Sequence, residues 1–283
     1  MEQQILSGIT LGGTYALAAL AYTLTYSVIG TINFAQGQIY MVGGFVTYWA
    51  ASQKFHWTVG LLMAAVVCAV LNAVVVLVSF RPLECAPLLS VFITGLGLAM
   101  VLQGIMFNVV GPKTYTIPDI GQAWKLGPVV VTQTNVIILA AVVVLAGVTS
   151  WILACTGAGW SLRAVSANRD AAEIIGMATD RIVTLTFAAA GALSGIAGGL
   201  VAYYFNSINV SVGLTAGIIA FTAAILGGIG SVSGAVLGGL LIGLSQVGAS
   251  AYVSSALRDA IAYAILLVFL IVKPAGFFGR ELH

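Results

Sequence analysis

WTVGLLMAAVVCAVLNAVVVLVS, residues 57–79, runs for 23 residues without one charged side chain. As an α-helix it would extend about 34 Å, enough for a hydrocarbon core about 30 Å thick. A helix of that length at the surface of a water-soluble domain would carry a polar face. This one has none, so it is read as a membrane span. Outward from it, comparable apolar segments recur near 5–28, 33–52, 87–110, 132–155, 182–205, 212–230, 232–250 and 257–273. The expected fold is an all-α integral membrane protein, a polytopic bundle of about 8–9 transmembrane helices forming one domain over 1–283. The second segment is short and polar at its start, and only Gly and Ser separate the seventh from the eighth. Either region is expected to hold a broken or re-entrant helix.

Composition supports the same class. Hydrophobic residues make up 60% of the chain and charged residues 6%, far below the quarter or so that coats a soluble domain. The net charge of +2 comes without any Lys/Arg run, which excludes a nucleic-acid partner. Cys68, Cys85 and Cys155 stand singly and suggest neither metal nor disulfide. The opening MEQQILSG lacks a basic leader, so the first apolar segment is expected to stay in the membrane. Arg81, Arg163, Arg169, Arg181, Lys273 and Arg280 fall on one side of a nine-span path, with Lys54, Lys113, Lys125 and Arg258 on the other. The positive-inside bias puts the loop 156–182 and the C-terminal end in the cytoplasm. Trp49, Trp57, Trp151, Trp160 and Tyr203 suit an interfacial belt. The connection 111–131, with three prolines, is expected to form an extended or hairpin-like cap.

Function classes narrow by what is missing. The eight acidic residues, Glu2, Glu84, Asp119, Asp170, Glu173, Asp180, Asp259 and Glu281, all fall in loops or at segment ends. Ion-coupled carriers usually keep an ionisable group inside the bilayer, so that class is disfavoured, although backbone carbonyls alone can bind sodium. No GxxxxGK[ST] loop occurs, so any ATP that drives the protein is bound by another chain. His56 and His283 have no ligand or catalytic companions in sequence, and no enzyme constellation is present.

Three features remain informative. Gly191, Gly195 and Gly199, and Gly230, Gly234 and Gly238, recur at four-residue spacing, which puts small residues on one helix face for close packing in lipid. Such faces either pack statically or slide, or meet a partner chain. Asn33, Gln36 and Gln38 flank Gly37 at an apparent helix break, where freed backbone groups could meet a polar solute. Other polar residues near spans, among them Asn72, Thr94, Gln103, Asn108 and Gln246, are expected to bond neighbouring helices. In the stretch 156–182, Asn168 is a candidate N-cap, Asp170 complements the positive helix end and Gly176 supplies a stop, predicting a short helix over about 169–175. Ala171, Ile174 and Ile175 form an apolar stripe on it. The stripe either lies on the lipid interface or docks into a groove on another protein.

The segment RAVSANRDAAEIIGM (163–177) resembles the EAA-type coupling loop of ABC importer permeases, in the form found in the branched-chain amino acid permease family. GGTYALAALAYTLTYSVIGTINFAQGQIYMVGGF, SVFITGLGLAMVLQGIMF and AFTAAILGGIGSVSGAVLGGLLIGL are similar to other blocks of that family, so the resemblance covers nearly the whole chain. Arg169 and Asp170 stand where Pro-Glu is common. The resemblance implies ATPase coupling through Asp170, Ala171, Ala172, Glu173, Ile174 and Gly176. It also implies a second homologous permease subunit, two cytoplasmic ATP-binding subunits that hold ATP and Mg, and an external or periplasmic solute-binding protein. Together with the uncharged spans it suggests inward movement of branched-chain or other amino acids by alternating access across a bacterial inner membrane. A passive pore for urea-like solutes and an ion-coupled carrier stand as alternatives.

Overall fold

The computed structural model describes residues 1–83, 86–126, 129–252, 254, 257–273 and 276–278. Glu84, Cys85, Pro128, Arg280, Glu281 and His283, which entered the readings above, lie outside the described residues. Among those described, the helices are α1 (Glu2–Ile29), α2 (Ala35–Ser52), α3 (Trp57–Val75), α4 (Leu88–Val110), α5 (Gln133–Cys155), α6 (Gly157–Ala167), α7 (Arg169–Ile174), α8 (Thr179–Tyr204), α9 (Val212–Gly227), α10 (Val232–Tyr252) and α11 (Arg258–Val272). A π turn at Val76–Phe80 and a 3-10 turn at Arg81–Leu83 prolong α3. Each of the nine apolar segments is a helix. Six helical stretches are long and apolar enough to cross a membrane, whereas α2, α9 and α11 are shorter or less apolar.

Hydrogen bonds sort the ends of the bundle into two faces. On one, Tyr252 donates to Gln4 Oε1 (2.9 Å), Gln3 Nε2 to the Val130 carbonyl (3.1 Å) and Tyr204 to the Ser7 carbonyl (3.3 Å). The expected cap is there. β2 (Ala123–Leu126) and β3 (Val129–Thr132) form a hairpin, and β1 (Tyr115–Thr116) pairs antiparallel with β4 (Ser207–Ile208). On the other face Asp180 binds both Arg81 and Arg169, and the Phe277 and Phe278 amides donate to the carbonyls of Leu226 and Gly227. The chain path thus separates Arg81, Arg163, Arg169, Arg181 and Lys273 from Lys54, Lys113, Lys125 and Arg258. Trp49, Trp151 and Trp160 are exposed as a belt requires, but Tyr203 is buried beneath the cap.

The core is two copies of one three-helix motif, α1–α3 and α8–α10, threaded in opposite directions. The turn after the first helix reads TINFAQG (31–37) in one copy and SINVSVG (207–213) in the other. Each turn opens on a left-handed residue, Gly30 (φ 72°) or Asn206 (φ 50°). In each, an Asn side chain then accepts from a nearby amide, Asn33 from Ala35 two residues on (3.0 Å), as an Asx turn does, and Asn209 from Val212 three residues on (3.1 Å). The second turn holds a left-handed residue at the same sequence offset, Lys54 (φ 60°) or Gly230 (φ 98°). Packing follows the same exchange. α1 lies antiparallel on α10 through Gly12, where a Cβ would sit 2.7 Å from the Leu240 Cα, and α8 lies on α3 through Gly195, where a Cβ would meet the Cys68 Cβ at 2.8 Å. Helices α2 and α9 cross each other, and a Cβ on Gly217 would be 2.9 Å from the Gly37 Cα. Such close approach is how helices associate in lipid.

The glycine expectations divide accordingly. Gly191, Gly195 and Gly199 meet α3 and α2, and Gly234 and Gly238 meet Gly227 and Ala223 of α9. Gly230 is corrected: it lies in the α9–α10 turn with open space around it, and its positive φ rather than packing demands glycine.

Candidate functional site

On the arginine-rich face, α6 starts at the Thr156 cap and ends where Asn168 begins α7. Asn168 Oδ1 accepts from the Ala171 amide at 3.0 Å, the N-cap anticipated from sequence. Gly176, with φ 84°, ends the turn that follows. A helix of six residues is too short to hold itself, and polar bonds brace it from beneath. Arg169 Nη2 contacts Asp180 Oδ1 at 3.0 Å, Arg169 Nε lies 3.5 Å from Glu173, and Thr179 Oγ1 donates to Glu173 Oε1 at 2.6 Å. Arg81 joins Asp180 from the end of α3, so α7 is tied to both α3 and α8.

The apolar stripe of Ala171, Ile174 and Ile175 is exposed as read from sequence, and the correction falls on Ala172 of the implied coupling set. Ala172 turns inward and is buried among Val165, Val183 and Phe187, so it seats α7 and offers no surface to a partner. Ala171 is exposed, while Ile174 (86%) and Ile175 (75%) stand almost fully free. Two bare isoleucines on a face rich in cations, at the end of a braced helix, form an uncovered apolar tip outside the membrane spans.

The second candidate region is the α1–α2 turn. Asn33, Gln36 and Gln38 are all buried. Gln36 Nε2 donates to Ser194 Oγ (2.6 Å) and to the Ala190 carbonyl (3.1 Å), and its Oε1 accepts from Asn72 Nδ2 (3.2 Å). Gln36 therefore joins α2, α3 and α8. Asn33 Nδ2, Gln38 Oε1 and Asn72 Oδ1 are buried without a protein partner. Each such atom costs about 1–3 kcal/mol in a static interior. Thr94 and Asn108 bond carbonyls one turn back on their own helix.

Sequence reasoning missed a third group. Tyr15 donates to Gln246 Oε1 (2.9 Å), Gln246 Nε2 donates to Asp259 Oδ1 (3.2 Å), and Arg258 reaches Gln246 Oε1 and the Tyr15 hydroxyl, each at 3.4 Å. Tyr15 is thirteen residues along α1 from Glu2, about 20 Å. The first turn of α11 thus begins within the bundle, because 15 residues of helix cover only about 22 Å of a core about 30 Å thick. Asp259 and Arg258 lie at a helix end, as expected, but that end is not at the membrane surface. Among the described residues, no group of three or more His, Cys, Asp and Glu could hold a metal ion.

The family model described as branched-chain amino acid transport system, permease component, matches residues 4–270. The chain is 33% identical to the high-affinity branched-chain amino acid transport system permease protein LivH of Escherichia coli K12, over 98% of this chain and 95% of that one. It is 32% identical to the corresponding permease protein BraD of Pseudomonas aeruginosa over the same shares. Identity to the probable branched-chain amino acid transport permease protein LivH of Methanocaldococcus jannaschii is 28%, over 99% of this chain and 93% of that one. No solved structure matches the chain.

Proposed function

The chain belongs to the family of branched-chain amino acid transport permease components, and from that premise we propose that it is the membrane-spanning subunit of an ABC importer carrying branched-chain or similar amino acids inward. The arginine-rich face is cytoplasmic and the β-capped face external. Two ATP-binding subunits, which hold ATP and Mg2+, dock on the cytoplasmic face, a second homologous permease completes the pathway, and a solute-binding protein delivers from outside. In bacteria this is the inner membrane. The chain itself is a transport subunit rather than an enzyme.

The observation that carries this reading is the tip of α7. Ile174 and Ile175 are exposed while Arg169, Glu173 and Ala172 hold the base of the helix to α8. A partner that covers the isoleucines therefore pushes on α8 and, through Asp180 and Arg81, on α3. Movement there is transmitted to the Gln36 bridge joining α2, α3 and α8. We assign the solute path to the neighbourhood of Asn33, Gln36 and Gln38, where the unpartnered Asn33 Nδ2 and Gln38 Oε1 find bonds when α2 shifts or solute passes.

The test is the Ile174→Asp, Ile175→Asp double variant. Both side chains already face solvent, so the purified permease should keep its thermal stability, while co-purification of the ATPase and ATP-driven leucine uptake in proteoliposomes should each fall at least tenfold. Unchanged uptake would overturn the coupling role. Leucine flux through wild-type protein without nucleotide would replace the importer by a passive pore.

A further inference from the structure

The opposed three-helix motifs create a crevice on each face, between the start of the first helix of one motif and the end of the third helix of the other. On the cytoplasmic face it lies between α8 and the π turn ending α3, bordered by Val76, Val183, Arg81 and Asp180. The Arg81–Asp180 ion pair spans it and leaves only about 10 Å³. On the external face the equivalent space lies between α1 and α10, with Arg258 at its edge, 28 residues after Gly230 as Arg81 stands 27 after Lys54. There it measures about 240 Å³. One crevice is bridged and narrow and its counterpart wide.

The wide crevice has the chemistry of a small-molecule site. Leu11, Val247 and Ala251 form an apolar wall, and Ser250, Gln246 and Arg258 supply polar groups. Arg258 is always protonated and carries five donors. Its two bonds to protein oxygens, at 3.4 Å each, are long. Asp259 is engaged by Gln246, and the ion pairs among the described residues involve Arg81 and Arg169 on the other face. The Arg258 guanidinium also lies over the Phe205 ring, 5.3 Å from its centroid, yet no carboxylate pairs with it among the described residues. This part-buried cation at the depth of Tyr15 therefore keeps donors for an anion. The volume equals about eight waters of liquid, which suits a solute of amino-acid size.

We propose that this external crevice is a binding site for the carboxylate of the transported amino acid, with Arg258 as the anion partner and the Leu11–Val247–Ala251 wall receiving the apolar side chain. This rests on the importer reading and adds to it a first station, reached before the buried turn at Asn33. Arg258 and the hydroxyl of Ser250 hold the carboxylate while the cytoplasmic crevice stays latched by Arg81 and Asp180. Opening that latch as the external crevice closes would exchange the conformations of the two motifs, the alternation that inverted repeats permit.

The test uses the full transporter in proteoliposomes, with Ala251→Cys introduced into a Cys85→Ser, Cys155→Ser background and labelled by a membrane-impermeant maleimide. Saturating L-leucine should slow labelling at least threefold, and leucinamide, which lacks the carboxylate, should not. Arg258→Gln should abolish the protection and Arg258→Lys should keep part of it. If Arg258→Gln does not assemble, Ser250→Trp, which fills the crevice from its exposed rim, should raise the half-saturation for leucine uptake at least tenfold. Equal protection by leucinamide, or none by leucine in a complex that still takes up leucine with ATP, overturns the site. Labelling that responds instead to phosphatidylglycerol content assigns Arg258 to an anionic lipid and overturns it too. Failure of ATP-driven leucine uptake itself overturns the importer reading, and this inference with it.

Discussion

The turns TINFAQGQ (31–38) and SINVSVGL (207–214) have one backbone and two chemistries. Both open on a left-handed residue, close an Asn side chain onto a nearby amide and bring a glycine to the α2–α9 crossing. Yet Gln36 and Gln38 are buried, while their counterparts Val212 and Leu214 are half-buried and 52% exposed. The first copy lies in the interior, enclosed by α3, α4, α8 and α9, and the second is at the margin. A turn repeated by geometry has thus been wired with amides where it is interior and left apolar where it meets the surroundings. The Arg crevices teach the same lesson on opposite faces, one bridged by Asp180 and the other wide beside Arg258.

The contact that both copies share should be the least tolerant. Gly217→Val puts a branched side chain against the Gly37 backbone, where even a Cβ would be 2.9 Å from the Cα. Overpacking of that kind costs about 3 kcal/mol. The variant should be recovered in small yield, with a melting temperature many degrees lower in detergent. Wild-type stability would show that α2 and α9 do not cross where the repeat places them.

The interior wiring should respond more mildly, and only in the first copy. Gln36→Val removes the bonds to Ser194 and Ala190 and leaves Asn72 with only the Phe187 carbonyl. A loss of about 1–2 kcal/mol is expected. Combined with Asn72→Ala, the total should fall short of the sum by about 0.5–1 kcal/mol, because the two residues share a bond. Val212→Gln, the reverse exchange in the second copy, should change stability by less than about 0.5 kcal/mol, since that side chain is half-buried at the margin. Equal losses in both copies would erase the distinction between interior and marginal turns.

Apolar length and punctuation made the nine helices legible, and Asn168, Asp170 and Gly176 marked α7 almost to the residue because caps are local chemistry. What could not be read depends on the third dimension. The repeat is nearly invisible in sequence: lipid accepts any apolar residue along a helix, so only the Ile-Asn pair and the following glycine persist from one copy to the other. Spacing of four sets Gly230 beside Gly234 and Gly238 but does not reveal where a turn interrupts a helix. The inward turn of Ala172 is set by the Val183–Phe187 surface beneath it. Apolar length places Arg258 and Asp259 at a helix end, but sequence does not give the depth of that end.

The smallest expected effect tests the repeat most cleanly, because it touches neither packing nor solute. Lys54 and Asn206 are the non-glycine residues with positive φ among those described, and each stands where the other copy has a glycine, Gly230 and Gly30. Asn enters the left-handed region several times more readily than ordinary residues, so Asn206→Gly should be nearly neutral: the strain relieved is small, and glycine adds entropy to the unfolded chain. Lysine has no such tolerance. Lys54→Gly should raise stability by up to about 1 kcal/mol, seen as a melting shift of a degree or two with uptake unchanged. The reciprocal changes, Gly30→Asn and Gly230→Lys, should cost less than Gly30→Val and Gly230→Val, since each installs what the other copy already accommodates and β-branched residues fit the left-handed region worst. If Asn and Val cost the same at position 30, the turns share a shape without sharing its physical basis.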